Sequence, residues 1–364
     1  MIDPVVADRH YMARALQLAE RGLYTTSPNP RVGCVLVDPV NQAIVGEGYH
    51  RKAGEGHAEV NALQAAGDTA RGATAYVTLE PCSHTGRTGP CSEALLKAGV
   101  ARVVYAMGDP NPAVAGRGVA RLRAGGIQVD GPLLQQQAEA LNAGFIKRMR
   151  TGLPWVHCKL AMSLDGRTAM ANGESQWITG PAARADVQRL RARSCAIVTG
   201  VGTVLQDNPA LTVRDPAVDT LERQPLRVVV DSRLRTPANA AIFRQPGRVC
   251  LASCAADKVY EGADIWQLPG AEGRVDLRRL LQHLATAEEC NEVMIEAGPT
   301  LAGRFIAENL VDELRIYMAG ALLGSAAKPL FELPFATMSQ ARRLQITDIR
   351  ALGDDWRITA RPRG

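Results

Sequence analysis

RVGCVLVD (31–38), AIVGEGYH (43–50), HAEVNALQAAG (57–67) and ATAYVTLEP (73–81) decide the fold class of the first half of the chain. The first two segments read as strands around an Asp38-Pro39 turn, the third returns to helical spacing, and the fourth is extended again. The alternation continues outward. HYMARALQLAERG (10–22) is helix-like, CSEALLKAG (91–99) is a helix stopped by Gly99, ARVVYAM (101–107) is a strand, and GVARLRAGG (118–126) is a helix with a glycine stop. Strands separated by single helices predict an α/β domain: a largely parallel sheet, helices on both faces, and ligands at the carboxyl ends of the strands.

LLQQQAEALNAGFIKRMRTGLP (133–154) supplies a last helix, which places a boundary near residue 150 and divides the chain into domains 1–148 and 149–364. A length of 364 residues suits two domains, each with its own core. The second domain opens with WVHCKLAMSLDG (155–166) and continues through CAIVTG (195–200), LRVVVD (226–231), RVCLAS (248–253), EVMIEAG (292–298) and ELRIYMAG (313–320). It ends in an expected antiparallel pair, LQITDIR (344–350) and WRITARP (356–362), and is a second α/β domain. The chain carries no internal repeat of 20–50 residues, so the second domain is not a copy of the first.

Composition narrows the function. Apolar residues make up 46% and charged residues 22%, which excludes disorder and low complexity. No apolar run approaches the ~18 residues a bilayer span needs, and the start MIDPVVADRH does not resemble a secretory signal, so a cytoplasmic protein is expected. The net charge of +5 is spread evenly, 16 bases against 13 acids in residues 1–150 and 26 against 24 in the remainder. Without a basic tail, and with only 4% aromatic residues for base stacking, the chain suits small anionic substrates rather than nucleic acid. The eight cysteines lack framework spacing, and all but Cys82 and Cys91 lie mostly in or beside apolar segments, as small buried hydrophobes do.

His57-Ala58-Glu59, followed by Pro81-Cys82 at a strand end and Cys91 at a helix start, carries the chemistry. One imidazole and two thiolates suit tetrahedral zinc, and three protein ligands leave a fourth position for water, whose pKa zinc lowers from 15.7 towards about 7. Glu59 is placed to move a proton from that water to a ring nitrogen and a leaving amine. The order H-x-E, P-C, C is that of the zinc nucleobase deaminases. Those enzymes commonly have C-x-x-C, whereas Cys82 and Cys91 enclose SHTGRTGP, which makes His84 a candidate additional ligand and brings Arg87 near the metal. A nucleoside deaminase fused to a binding module and a zinc-stabilised sensor are the competing classes; Glu59 argues against the sensor, since a structural site needs no carboxylate beside the metal.

SPNPRVGCVLVD, GEGYHRKAGEGHAEV and YVTLEPCSHTGRTGPC, with KLAMSLDGRTA, ESQWITG, RARSCAIVTGVGTVLQDNPALTVR and EAGPTLAGRF in the second half, closely resemble the bifunctional riboflavin-biosynthesis deaminase/reductases over nearly the whole chain. The resemblance implies a cytidine-deaminase-like three-layer α/β/α domain followed by a dihydrofolate-reductase-like α/β domain. The first would remove an amine from a diaminopyrimidine ribosylamino 5′-phosphate, with zinc on His57, Cys82 and Cys91, Glu59 as proton shuttle, and Asn29 and His50 on the substrate. The second would reduce the ribosyl group to a ribityl chain with NADPH.

For this second half the resemblance implies substrate contacts at Ser175, Arg191, Leu211, Arg214 and Glu296, with arginine on the phosphate. Cofactor contacts would fall at Ala161, Trp177, Thr203, Asp207, Ser232 and the turn Gly298, Pro299, Thr300, Leu301, Ala302, Gly303 and Arg304. Lys159 has no assigned role. Ser232, with Arg233 and Arg235 after the strand LRVVVD, suits a 2′-phosphate and hence NADPH, although Asp231 beside them is the residue type an NAD site would use. The resemblance also suggests a homodimer through the reductase half.

Overall fold

A computed structural model describes residues 4–83, 89–112, 114–255 and 257–363. In the first half, α1 (Pro4–Glu20), β1 (Gly33–Val37), β2 (Ile44–Tyr49), α2 (Ala58–Ala66), β3 (Thr74–Val77), α3 (Cys91–Ala98), β4 (Arg102–Tyr105), α4 (Arg117–Ala124) and β5 (Gln128–Asp130) are followed by α5 (Gln135–Leu141) and α6 (Ala143–Thr151). The sheet order is β2-β1-β3-β4-β5. Expected to be largely parallel, the sheet is mixed: β1 runs antiparallel to both β2 and β3, while β3, β4 and β5 are parallel. The reason is the short β1–β2 connection, a hairpin that forces reversal, whereas the later strands are joined through helices.

Side-chain alternation sets the layers. Gly33 and Cys34 point to opposite faces of β1. A Cβ on Gly33 would lie 2.0 Å from the carbonyl of Ala15 in α1. Gly48, paired with Cys34, faces the other way, where a Cβ would lie 2.4 Å from the Ala58 carbonyl and 2.5 Å from the Ala62 nitrogen of α2. Helices α1 and α2 therefore cover opposite faces, and the missing side chain at Gly48 lets the first turn of α2 rest on the sheet. Met12, Leu36, Leu95 and Leu122 are fully buried in this core.

In the second half, β6 (Trp155–Ser163), β7 (Arg167–Ala169), α7 (Pro181–Arg193), β8 (Ala196–Gly200), α8 (Val201–Asp207), β9 (Leu226–Val230), β10 (Val249–Ser253) and β11 (Ala263–Gln267) come first. They are followed by α9 (Leu277–Thr286), β12 (Glu292–Glu296), α10 (Pro299–Ala307), β13 (Glu313–Ala319), β14 (Lys328–Pro329), β15 (Leu344–Leu352) and β16 (Asp355–Pro362). The main sheet has the order β11-β10-β9-β8-β12-β6-β13-β16-β15, and β7 and β14 form a separate pair. Strands β11 through β13 in that order are parallel; β16 and β15 are antiparallel, as expected for the last two segments.

The apolar runs are explained by burial on both faces: Val228 and Ile295 join one core, while Val229 and Met294 join the other. β12 is inserted between β6 and β8, so strand succession reverses there, and a crevice is expected at its carboxyl end. The chain divides into units 1–152 and 153–364. Among the described residues, no helix is long and apolar enough to cross a membrane.

Gly48→Val should destabilise the first domain by about 2 kcal/mol or more, because the new side chain has backbone, not a flexible side chain, in its way. Denaturant unfolding compared with the parent chain checks this; an unchanged midpoint would mean that α2 does not rest on the sheet as described.

Candidate active sites

His57 is the residue immediately before α2, Cys82 follows the strand end after β3, and Cys91 is the first residue of α3. Their ligand atoms lie within 4.8 Å of one another. The His57 Nδ1 is 3.6 Å from the Cys82 Sγ and 3.3 Å from the Cys91 Sγ. Zn–N near 2.1 Å and Zn–S near 2.3 Å at a tetrahedral angle require N···S separations of about 3.6 Å. The donor set thus fits zinc in both chemistry and spacing. The Cys91 N–H, exposed at the α3 N-terminus, donates to the Cys82 Sγ at 3.3 Å. Hydrogen bonds from the Cys91 thiol, His57 and that N–H outweigh burial and hold Cys82 below the usual thiol range, towards the thiolate.

Glu59 lies in the first turn of α2, buried at 3% exposure and outside the ligand triad. Burial, reinforced by the charge of Cys82, pushes its carboxyl up to about 7, where a group both takes and gives protons near neutral pH. His50 stands beside His57 with ring centroids 5.3 Å apart. Its Nδ1 is 3.1 Å from the Gly56 carbonyl, which can only accept, so that nitrogen carries the proton. Its Nε2 then accepts from the Asn29 Nδ2 at 3.0 Å, which leaves the Asn29 Oδ1 as the free end of the amide. His84 and Arg87 lie outside the described residues.

Sequence reasoning passed over Glu80. Its buried carboxylate accepts from the backbone N–H groups of Asp109, Gly116, Gly118 and Val119 at 3.0–3.3 Å, tying the strand end that carries Cys82 to the start of α4. The only local signal was an acid immediately before Pro81-Cys82.

In the second domain, β12 ends at Glu296. The Arg191 Nε and Nη2 each lie 2.9 Å from a Glu296 oxygen, the Arg191 Nη1 donates to the Thr212 carbonyl at 3.1 Å, and the Lys159 Nζ is 3.4 Å from Glu296. Burial alone would raise the Glu296 carboxyl; the charges of Arg191 and Lys159 prevail and hold it at about 2. Arg191, expected on a phosphate, is thus turned inward onto Glu296. Arg214 is exposed, and its guanidinium has no partner among the described residues. Leu211 is buried, while Ser175 and Ala161 are half-buried.

The two glycine turns meet. A Cβ on Gly298 would lie 3.9 Å from the Thr203 Oγ1, and one on Gly200 would lie 3.4 Å from Leu301. Gly298 precedes α10 without a side-chain cap, so the N–H groups of the first turn are open to an anion. Not all of 298–304 faces that way. Ala302 is fully buried, a Cβ on Gly303 would lie 2.1 Å from the Glu332 carbonyl, the Thr300 hydroxyl donates to Glu332 at 2.8 Å, and Arg304 pairs with Glu308 at 3.0 Å. Trp177 is 70% exposed with the Arg184 guanidinium 4.7 Å from its ring centroid, and Asp207 ends α8 exposed. Asp231 is fully buried, its Oδ2 accepting from the Thr236 N–H and hydroxyl at 2.7 Å each, while the Ser232 Oγ accepts from the Val275 N–H at 3.2 Å.

Family comparison agrees with both sites. The cytidine and deoxycytidylate deaminase zinc-binding region matches residues 6–107, and the RibD C-terminal domain matches residues 154–358. The riboflavin biosynthesis protein RibD of Escherichia coli (strain K12) is 52% identical over 360 residues, covering 96% of this chain and 97% of that protein. RibD of Haemophilus influenzae is 48% identical over 364 residues, with 97% of each covered. A solved structure of Acinetobacter baumannii RibD has a TM-score of 0.91 at 45% identity, covering 99% of this chain and 100% of that one. A Thermotoga maritima diaminohydroxyphosphoribosylaminopyrimidine deaminase/5-amino-6-(5-phosphoribosylamino)uracil reductase has a TM-score of 0.90 at 29% identity, covering 99% and 100%.

The chain is a two-domain enzyme in which a cytidine-deaminase-like zinc domain precedes a dihydrofolate-reductase-like domain that uses NADPH. It belongs to the RibD family, the bifunctional deaminase/reductases of riboflavin biosynthesis.

The Glu296 carboxylate contributes stability that is whole above its ordinary value of 4.5 and is lost as pH falls towards about 2. Arg191→Met should therefore cost about 3 kcal/mol at neutral pH by leaving a buried charge underpaired, with the deficit narrowing in acid as Glu296 is protonated. Unfolding free energies measured from pH 7 to pH 3 check this; a pH-independent deficit would show that charge pairing is not its source.

Proposed function

We propose that the first domain hydrolytically removes an amine from the pyrimidine ring of a diaminopyrimidine ribosylamino 5′-phosphate, and that the second reduces the ribosyl group of the product to a ribityl chain. The observation that carries the reading is the convergence of the His57, Cys82 and Cys91 donor atoms within 4.8 Å of one another, with the buried carboxyl of Glu59 in the first turn of the helix that His57 precedes. Zinc, held by those three, supplies Lewis-acid activation of water. Glu59 takes a proton from the attacking water at a carboxylate oxygen and passes it to the ring nitrogen; it then takes the proton of the hydroxyl added to the ring carbon and passes it to the amine, which leaves as ammonia as the C–N bond breaks and the C=O bond forms. The Asn29 Oδ1, oriented by neutral His50, accepts from a donor on the pyrimidine edge. Burial lowers the His50 imidazole, which favours that neutral ring.

In the second domain NADPH supplies the hydride. Lys159 and Arg191 keep Glu296 ionised, so that it accepts from ribityl hydroxyls or pyrimidine N–H groups, and Arg214 takes the substrate phosphate. The open N–H groups of Thr300 and Leu301 receive cofactor phosphate, with Thr203 beside Gly298, and Trp177 offers its exposed ring to the cofactor. The preference for NADPH over NADH rests on Asp231 being consumed by Thr236, while Ser232, Arg233 and Arg235 follow the same strand end with the arginines exposed. The partners are small phosphorylated molecules, not nucleic acid, and the location is cytoplasmic. A homodimer through the reductase half is supported by the outer β15–β16 hairpin. There Ile346, Ile349 and Trp356 are 57%, 56% and 46% exposed, and Ile349 lies opposite Ile358.

Glu59→Gln should retain zinc, lower ammonia release by roughly 10²- to 10⁴-fold and leave the reductase step intact. Elemental analysis and separate assays of the two steps test it; substantial residual deamination would remove Glu59 from the mechanism. Replacing Arg233 and Arg235 together by Gln should raise KM for NADPH roughly tenfold with little change for NADH. An equal effect on both cofactors would place the 2′-phosphate elsewhere.

A further inference from the structure

Asn29 sits in a loop that has no helix or strand of its own between α1 and β1. The Asn29 N–H donates to the Thr26 carbonyl at 2.9 Å and the His50 N–H to the Val32 carbonyl at 2.9 Å, and further bonds to the loop come from more than 100 residues away. The Asn142 Oδ1 accepts from the Arg31 N–H at 2.8 Å, and its Nδ2 donates to the Arg31 carbonyl at 3.0 Å. The Arg148 Nη2 donates to the Pro28 carbonyl at 3.2 Å, and the Arg31 Nη1 donates to the Leu141 carbonyl at 2.8 Å. The segment bearing Asn29 is thus gripped on both sides, at residues 28 and 31, by the α5–α6 junction and by α6.

Asn142 is 2% exposed and stands where α6 begins. An Asn in that position ordinarily turns its Oδ1 onto the first free N–H groups of the helix, worth ~1 kcal/mol. Here it makes no cap. Its amide instead satisfies both the donor and the acceptor of one residue, as a neighbouring strand would. What is gained is a fixed backbone two residues from Asn29, whose side chain meets His50 and through it the zinc ligand His57.

We propose that Asn142 and Arg148 are positioning residues of the deamination site, setting Asn29 against the pyrimidine through the main chain of Pro28 and Arg31. The inference rests on the reading of Asn29 as a substrate contact.

The test is a double-mutant comparison in the full-length zinc enzyme, following ammonia release from the diaminopyrimidine ribosylamino phosphate, with zinc content and the reductase rate as internal controls. Asn142→Ala and Arg148→Met should each raise deaminase KM roughly tenfold, with kcat, zinc content and the reductase rate close to parental. In an Asn29→Ala background each should add almost nothing, and Arg148→Lys, which keeps a donor for the Pro28 carbonyl, should restore most of the loss.

Increments of equal size with and without Asn29 would overturn the proposal, as would zinc loss at unchanged KM. Should Asn142→Ala not fold, Asn142→Asp, which keeps only the acceptor for the Arg31 N–H, and Arg148→Met serve in the same comparison. If Asn29→Ala raises KM while the Asn142 and Arg148 variants do not, the positioning role fails alone; if Asn29→Ala changes nothing, the reading of Asn29 fails and the positioning role with it.

Discussion

Three donor atoms from residues 57, 82 and 91 must meet within 4.8 Å, and the first domain is arranged so that they do. Two of the three stand at helix starts, where unsatisfied N–H groups favour negative charge, and the third is a thiolate that accepts one of those N–H bonds. α2 reaches its position because Gly48 has no side chain to hold it off the sheet, and Glu80 gathers the next loop behind Cys82. Ionising Cys91 and Glu59 beside the Cys82 thiolate would set like charges against one another, and burial with that neighbour holds both groups towards their protonated forms without a cation. The cost of assembling the site is therefore borne by the fold, and a bound divalent ion relieves it.

The second domain depends on a different balance. Glu296 ends the strand inserted at the point where strand succession reverses, and it is buried. A lone carboxylate there would take up a proton; paired with Arg191 and Lys159 it stays charged. The same guanidinium holds the Thr212 carbonyl, next to Leu211 and two residues from Arg214, so the charge pair also fixes the stretch that bears the exposed arginine. One ion pair thus sets both the protonation state of an acid and the placement of a loop.

Much of this was legible in the sequence. His57, Glu59, Cys82 and Cys91 declared themselves through residue type and order, because metal ligation restricts both, and buried strands such as LRVVVD declared themselves through unbroken apolar runs. β11 went unread because ADIWQ, only partly buried at the sheet edge, carries neither a continuous apolar run nor enough apolar residues to be recognised. Strand direction in the first sheet was misjudged because helix–strand alternation does not reveal which strands become neighbours. The partners of Glu80, Asp231, Arg191 and Asn142 were beyond reach for a common reason. Each side chain is of a type that ordinarily faces solvent, and its burial is decided by backbone groups or opposite charges brought near only by the completed fold.

At the carboxyl edge of the second sheet, acids and bases are treated unequally. Asp231 is consumed by Thr236, Glu296 by Arg191 and Lys159, and Asp165 by Ser163 and the N–H groups of Leu323 and Gly324. Arg214, Arg233 and Arg235 remain exposed. An acid that is buried or already accepts protein donors repels an arriving anion less than a bare one, whereas an exposed guanidinium exerts its field on whatever approaches. Guanidinium groups at this edge are therefore open to an arriving anion although acids and bases nearly balance in number across this half of the chain. Counting charges along the sequence cannot detect this, because which charges are neutralised internally depends on the fold, and both the substrate and the cofactor of the reductase step arrive as phosphates.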